Sequence, residues 1–257
     1  MRTPPTRLPV VRPTLVPIAA IIAAALGVAC SSDDDGTGDE TPPDGVSRTP
    51  FSFEEGSSGG WRAGFADYPA GDEDFFELSS GVERLPAPLD GTVGLALNGS
   101  NRSDDLFMYI TRRLDGFLPD TRYALDFEIT FATDAPSGCV GIGGAPGESV
   151  TLKAGATVIE PAAIDDGTGF LSMNIDKGVQ SAGGSDAVAL GNVANSSDCA
   201  EGGADYELKT LDNADMPFTV TTDESGTLWV LFGTDSGFEG VTRLYYVDGL
   251  IVASPSP

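Results

Sequence analysis

The feature that most constrains this chain is the stretch from Tyr123 to Phe131. Tyr123, Leu125, Phe127, Ile129 and Phe131 alternate with Ala124, Asp126, Glu128 and Thr130. That two-residue period puts one side of a strand in an apolar core and the other in water. The pattern recurs in shorter form along the chain. Further strands are predicted at 51–54, 75–78, 92–97, 106–111, 139–142, 150–153, 170–174, 206–210, 218–221, 228–232 and 241–252, separated by Gly, Asp, Asn and Pro. No 12-residue window carries apolar residues at helical spacing. The stretch from 178 to 203 is small and polar and reads as a long excursion. A parallel α/β fold needs crossover helices, which are missing here. The expected fold class is therefore all-β: a two-sheet antiparallel β-sandwich.

Composition excludes several chemistries. The chain has 14 Lys and Arg against 39 Asp and Glu, and no histidine. Three of the cations are Arg2, Arg7 and Arg12, and no acid precedes Cys30. The part after Cys30 therefore holds 11 cations against the same 39 acids, a net charge of −28. Such a field repels phosphate backbones, so no nucleic acid is expected as a partner. Without histidine there is no Ser-His-Asp or Cys-His catalysis and no histidine-bearing zinc site.

The N-terminus reads as an address. Arg-rich residues 1–14 precede an apolar run from Leu15 to Ala29, which is short for the ~20 residues of a bilayer span. The run ends Leu26-Gly27-Val28-Ala29-Cys30. A small residue immediately before a cysteine resembles the bacterial lipoprotein pattern, although that pattern usually has leucine where this chain has Gly27. The resemblance implies a diacylated Cys30 as mature N-terminus and the lipid bilayer as a partner. It places the chain in the cell envelope, on the outer membrane if the cell is Gram-negative. The segments then read as a signal peptide (1–29), an acidic disordered tether (30–47), a β-sandwich domain (48–254) and a short tail (255–257). In an oxidising compartment, the two remaining cysteines, Cys139 and Cys199, are expected to pair.

Three segments resemble the jelly rolls of carbohydrate-binding modules and galactose-binding-like domains. They are Phe51-Ser52-Phe53-Glu54-Glu55-Gly56 with Trp61, the turn Leu118-Pro119-Asp120-Thr121-Arg122-Tyr123, and the closing run Leu244 to Val252. The resemblance implies a jelly-roll-like sandwich with a glycan as ligand and Ca²⁺ as a structural ion.

Candidate site residues were sought where acid–glycine clusters abut strands, because loops carry function on a rigid scaffold. The loops are 98–105, 143–149, 174–178 and 235–240. Hard cations need several oxygen donors, which nominates Asp104, Asp105, Asp176, Asp235 and Glu239 for metal. Arg102, Glu148, Lys177 and Phe238 are the expected ligand-lining rim, with Phe238 exposed for stacking on a sugar. The Gly141–Ser149 run fails as a phosphate loop, since Glu148 stands where a lysine is needed. No catalytic residue is nominated. The expected function is a membrane-anchored, non-catalytic binding module with carbohydrate as leading ligand. The alternatives are a structural or assembly component of the envelope, or a glycoside hydrolase built on two carboxylates.

Overall fold

A computed structural model describes residues 45–202 and 205–257. The expected signal peptide, Cys30 and nearly all of the expected tether lie outside the described residues. Fifteen strands follow in order: β1 (Ser47–Ser52), β2 (Arg62–Ala66), β3 (Tyr68–Pro69), β4 (Ser79–Arg84), β5 (Val93–Ser100), β6 (Leu106–Leu114), β7 (Arg122–Thr133), β8 (Val150–Thr157), β9 (Ala163–Asp165), β10 (Phe170–Met173), β11 (Ala187–Asn192), β12 (Glu207–Asp212), β13 (Phe218–Thr221), β14 (Leu228–Ser236) and β15 (Val241–Pro255).

The strands form a two-sheet antiparallel sandwich. A seven-stranded sheet runs β12-β7-β15-β5-β4, with β1 beside β15 and β13 beside β7. A five-stranded sheet runs β11-β8-β14-β6-β2. The chain changes sheet from β5 to β6, β6 to β7, β7 to β8 and β14 to β15. This jelly-roll-like weaving needs no helix to carry the chain across.

The alternation along β7 does what its period dictates. Tyr123, Leu125, Phe127, Ile129 and Phe131 are buried on the inner face of β7, while Asp126 and Glu128 face solvent. They meet Leu106, Met108 and Ile110 of β6 and Leu228, Val230 and Phe232 of β14 in one apolar core. Phe232 stacks with Trp61 and Phe51 at centroid distances of 5.7 Å each. Burying a large apolar side chain contributes about 1.5–3 kcal/mol, so this layer dominates the stability.

Two expected strands are corrected. Residues 75–78 form a turn that leaves Phe75 exposed, and residues 139–142 form an irregular loop. Conversely, the residue pattern does not announce β2, β3, β4, β9 or β11. All five are sheet edges, so they lack the alternation that marks β7. β11 lies inside the stretch expected to be an excursion.

Outside the five-stranded sheet lies a small layer. β9, β10 and β3 make a three-stranded sheet, and Ala163, Met173 and Ile175 pack on Phe107, Tyr109 and Leu231 of the larger sheet's outer face. Glycines make this possible. A Cβ on Gly233 would lie 2.5 Å from Cζ of Phe107, and one on Gly155 would strike the carbonyl oxygen of Asp186. The overlying backbone therefore rests directly on the sheet.

Cys139 and Cys199 are bonded, as expected, across a separation of 60 residues. The bond is reinforced by a backbone hydrogen bond from Cys199 to Ser137 of 2.9 Å. A Cys139→Ser/Cys199→Ser variant should lose stability, with about 4 kcal/mol as the chain-entropy ceiling, read as a lower midpoint in denaturant. An unchanged midpoint would mean that the hydrogen bonds alone hold the loop ends together.

Candidate functional site

The four nominated loops share one pole of the sandwich. Register puts them there: Ser236 pairs with both Leu106 and Val150, and Val241 pairs with Ser100. The loops before β6, before β8 and after β14 therefore begin side by side. The Gly237 amide donates to the Ser149 carbonyl (2.9 Å), and Asn101 donates to the carbonyls of Gly240 and Ser236 (2.9 and 2.7 Å). The fourth loop joins them through Lys177, which reaches Asp235.

Under this pole sits a buried charge cluster. Lys153 on β8 and Asp235 on β14 are both fully buried, with Nζ 2.7 Å from Oδ2. They occupy the outer face of the five-stranded sheet, where Lys153 stands opposite Gly233. Lys153 donates all three of its hydrogens, to Asp235 and to the carbonyls of Lys177 and Ala182 (2.9 Å each). Lys177 donates to the same Oδ2 of Asp235 at 2.8 Å and pairs with Asp67 at 3.0 Å. Its ammonium also lies 4.9 Å from the centre of the Phe107 ring. Asp67 is held in the left-handed region at φ 67°, a strained setting for a non-glycine residue.

The cluster contains two ammonium groups and three carboxyls, the third being Asp105. Burial and the hydrogen bond to Asp235 push the Asp105 acid up to about 8. Burial would raise Asp235 too, but the bond from Asp105 and the two lysines outweigh it and hold Asp235 below the usual carboxylate range. Oδ1 of each is buried without another partner. A proton on Asp105, donated to Asp235, satisfies both oxygens and brings the cluster to neutrality. Burial would lower Lys177, yet Asp235 and Asp67 outweigh it and keep the ammonium charged.

Several nominated roles need correction. Asp235 is spent on two lysines and Asp105 on Asp235. Asp176 accepts the amides of Gly178 (3.1 Å) and Ser185 (2.9 Å). Among the described residues no three acids converge on a metal-sized space; Asp104 and Glu239 lie on the pole without joining a donor set. Lys177 is buried rather than rim-lining. Phe238 packs against the core, and a Cβ on Gly141 or Gly240 would strike its ring. Glu148 accepts the Gly138 amide at 2.7 Å. Arg102 stays at the exposed rim, 2.8 Å from Glu77 and over the Phe75 ring. Nor do Asp105 and Asp235 make a glycosidase pair: they touch each other, whereas hydrolysis needs a sugar between carboxyls about 5–9.5 Å apart.

Sequence reasoning missed Trp229. It stands half-buried on the middle strand of the five-stranded sheet, on the outer face, in a row with Thr157 and Arg113. Of this row, Thr157 is buried, Trp229 half-buried and Arg113 exposed. The Arg62 guanidinium lies 4.9 Å from the Trp229 ring centre and bonds Glu160 at 2.6 Å, with both partners about half exposed. Arg113 bonds Asp115 at 2.9 Å. The signal was parity: Trp229 is two residues from Leu231 and one from Val230, so it faces away from the core.

No protein-family description and no curated protein matches the chain. Solved structures match loosely. The xylan-binding CBM22-1 domain from Paenibacillus barcinonensis is 12% identical, with 81% of this chain and 95% of that one covered, at a TM-score of 0.38. The K1 cleaved adhesin domain of Lys-gingipain from Porphyromonas gingivalis is 14% identical, covering 82% and 99%, at 0.36. The tailspike protein 4 active domain of bacteriophage CBA120 is 10% identical at 0.34, and the match spans 77% of this chain but only 20% of the tailspike. The fold assignment rests on the sheets described above.

Asp105 gives the cluster a pH signature. Its folded value lies near 8 against an ordinary 3.8, so the folded state keeps a proton that the unfolded chain releases. That contribution is complete below 3.8 and is lost as pH rises toward about 8. Asp105→Asn, which cannot ionise, should remove this decline. Thermal unfolding of both proteins across that range should show wild type losing ground to the variant as pH rises, and parallel profiles would refute a protonated Asp105.

Proposed function

We propose that the mature chain is an envelope-tethered module that binds a neutral glycan on the uncovered half of its five-stranded sheet. The observation that carries this reading is Trp229, an outward-facing indole on a rigid central strand, ringed by Arg62, Glu160, Arg113 and Asp115. The apolar C–H face of a pyranose packs on an indole, and its hydroxyls suit forked guanidinium donors and carboxylate acceptors. The Arg62–Glu160 pair that overlies the ring is exposed, and exposed ion pairs contribute little, so it yields to a ligand at small cost. The net charge of −28 on the part after Cys30 disfavours acidic polysaccharides. The lipoprotein pattern ending at Cys30 supports a place on the membrane, with the acidic residues after it acting as a stalk.

Affinity electrophoresis through xylan, mannan and β-glucan tests the binding surface. Wild type should be retarded by at least one of them. Trp229→Ala should lose about 30-fold in affinity, the scale of an interfacial hot spot of about 2 kcal/mol, without a change in melting temperature. Retardation that survives in Trp229→Ala would move the site elsewhere. Anchoring is tested separately. Cys30→Ser should abolish fatty-acid labelling and release the protein from membranes, since a lipid anchor is stable only with more than one chain. Labelling that persists in that variant would exclude Cys30 as the acylated residue.

A further inference from the structure

We propose that Lys177 and Asp235 become joined by an isopeptide bond that the folded protein forms by itself. The inference is independent of glycan binding and rests on the buried cluster. The Lys177 Nζ lies 2.8 Å from Oδ2 of Asp235, and the two side chains are 8% and 0% exposed. Fixed contact at this distance replaces a bimolecular encounter with an intramolecular one. The ammonium and carboxylate are both held out of water, where separate charges are costly. Condensing them to a neutral amide removes that cost.

The surrounding groups occupy the positions that the chemistry requires. Asp67, 3.0 Å from the Lys177 Nζ, takes a proton from the ammonium and frees the amine. The Phe107 ring closes one side of the amine. Lys153, 2.7 Å from Oδ2, stabilises negative charge on that oxygen when the amine adds to Cγ. Oδ1 faces the Asp105 acid and no other donor, so it is the oxygen that leaves. The nitrogen–Cγ bond forms, and the Cγ–Oδ1 bond breaks. Oδ1 takes one proton from Asp105 and one that began on Lys177, leaving as water. The second proton lost by Lys177 restores Asp105. The amide keeps one N–H, aimed at Asp67, and one oxygen, held by Lys153. One ammonium and one carboxylate remain, so the cluster stays neutral. No oxidant or external reactant is needed.

Lys153 is the competing amine, and its bonding excludes it. All three of its hydrogens are committed, two of them to the carbonyls of Lys177 and Ala182. An amide at Lys153, with a single N–H, would leave at least one of these carbonyls without its donor. An amide at Lys177 leaves both of those carbonyls bonded to the Lys153 ammonium. The product would staple the overlying 158–186 layer to β14.

The test is peptide mapping of the full-length chain by mass spectrometry. The expected result is one branched peptide containing both Lys177 and Asp235, lighter by one water than its two linear parts. Lys177→Arg, which keeps the cation, should give only linear peptides. Asp105→Asn, which removes the proton donor, should slow appearance of the branch after synthesis by about 100-fold, the scale of a general-acid contribution. Full recovery of linear wild-type peptides with a free Lys177 amine would overturn the proposal. So would a branch at Lys153, or a rate unchanged in Asp105→Asn.

Discussion

Asp235 is the constraint on which the rest of this molecule depends. A carboxylate with no exposed surface, on the central strand of a sheet, cannot be left alone, because desolvating an unpaired charge costs several kcal/mol. Satisfying it recruits Lys153 from β8, Lys177 from the overlying layer and Asp105 from the loop before β6. Asp67, at the end of β2, then completes Lys177. Five segments distant in sequence are thereby held in one arrangement, and the four-loop pole is built over it. An apolar substitute would pack as well, but it would not specify which loop meets which.

The same outer face shows how one sheet can present two surfaces. Gly64, Gly155 and Gly233 remove side chains where Tyr109, Phe107 and the covering backbone need to lie close. That half of the face is sealed by a second apolar cluster around Leu231. Farther along the same face the row is Thr157, Trp229 and Arg113, which are buried, half-buried and exposed in turn. The boundary between sealed and open halves falls within a single strand, β14, and is set by side-chain size. The Arg62 guanidinium over the ring, itself paired with Glu160, holds the indole against a rigid strand.

Much of the scaffold was legible before any coordinates. The β7 alternation, the strong central strands β5, β6, β8, β14 and β15, and the pairing of Cys139 with Cys199 all follow from residue pattern and parity. The edge strands β2, β4 and β11 were not legible, because an edge strand in contact with water on several sides has no single apolar face. The loops were correctly singled out as acid–glycine clusters, but their residues were given the wrong partners. Asp235 and Asp176 read as metal donors because a sequence shows oxygen atoms and not what already donates to them. Lys177 and Phe238 read as rim residues because they sit in loops, yet one is drawn inward by two carboxylates and the other by apolar contact.

That this chain is strand-built, strongly acidic and without histidine chemistry follows from residue order and inventory, because period, charge and composition are local or additive properties. The tertiary structure alone decided that four loops meet at one pole, that two of only three lysines are buried against three aspartates, and that Trp229 faces outward beside Arg62 and Arg113. Those facts depend on strand register across two sheets. A shift of one residue would turn every side chain to the opposite face, and no count of residues along the chain records which register was chosen.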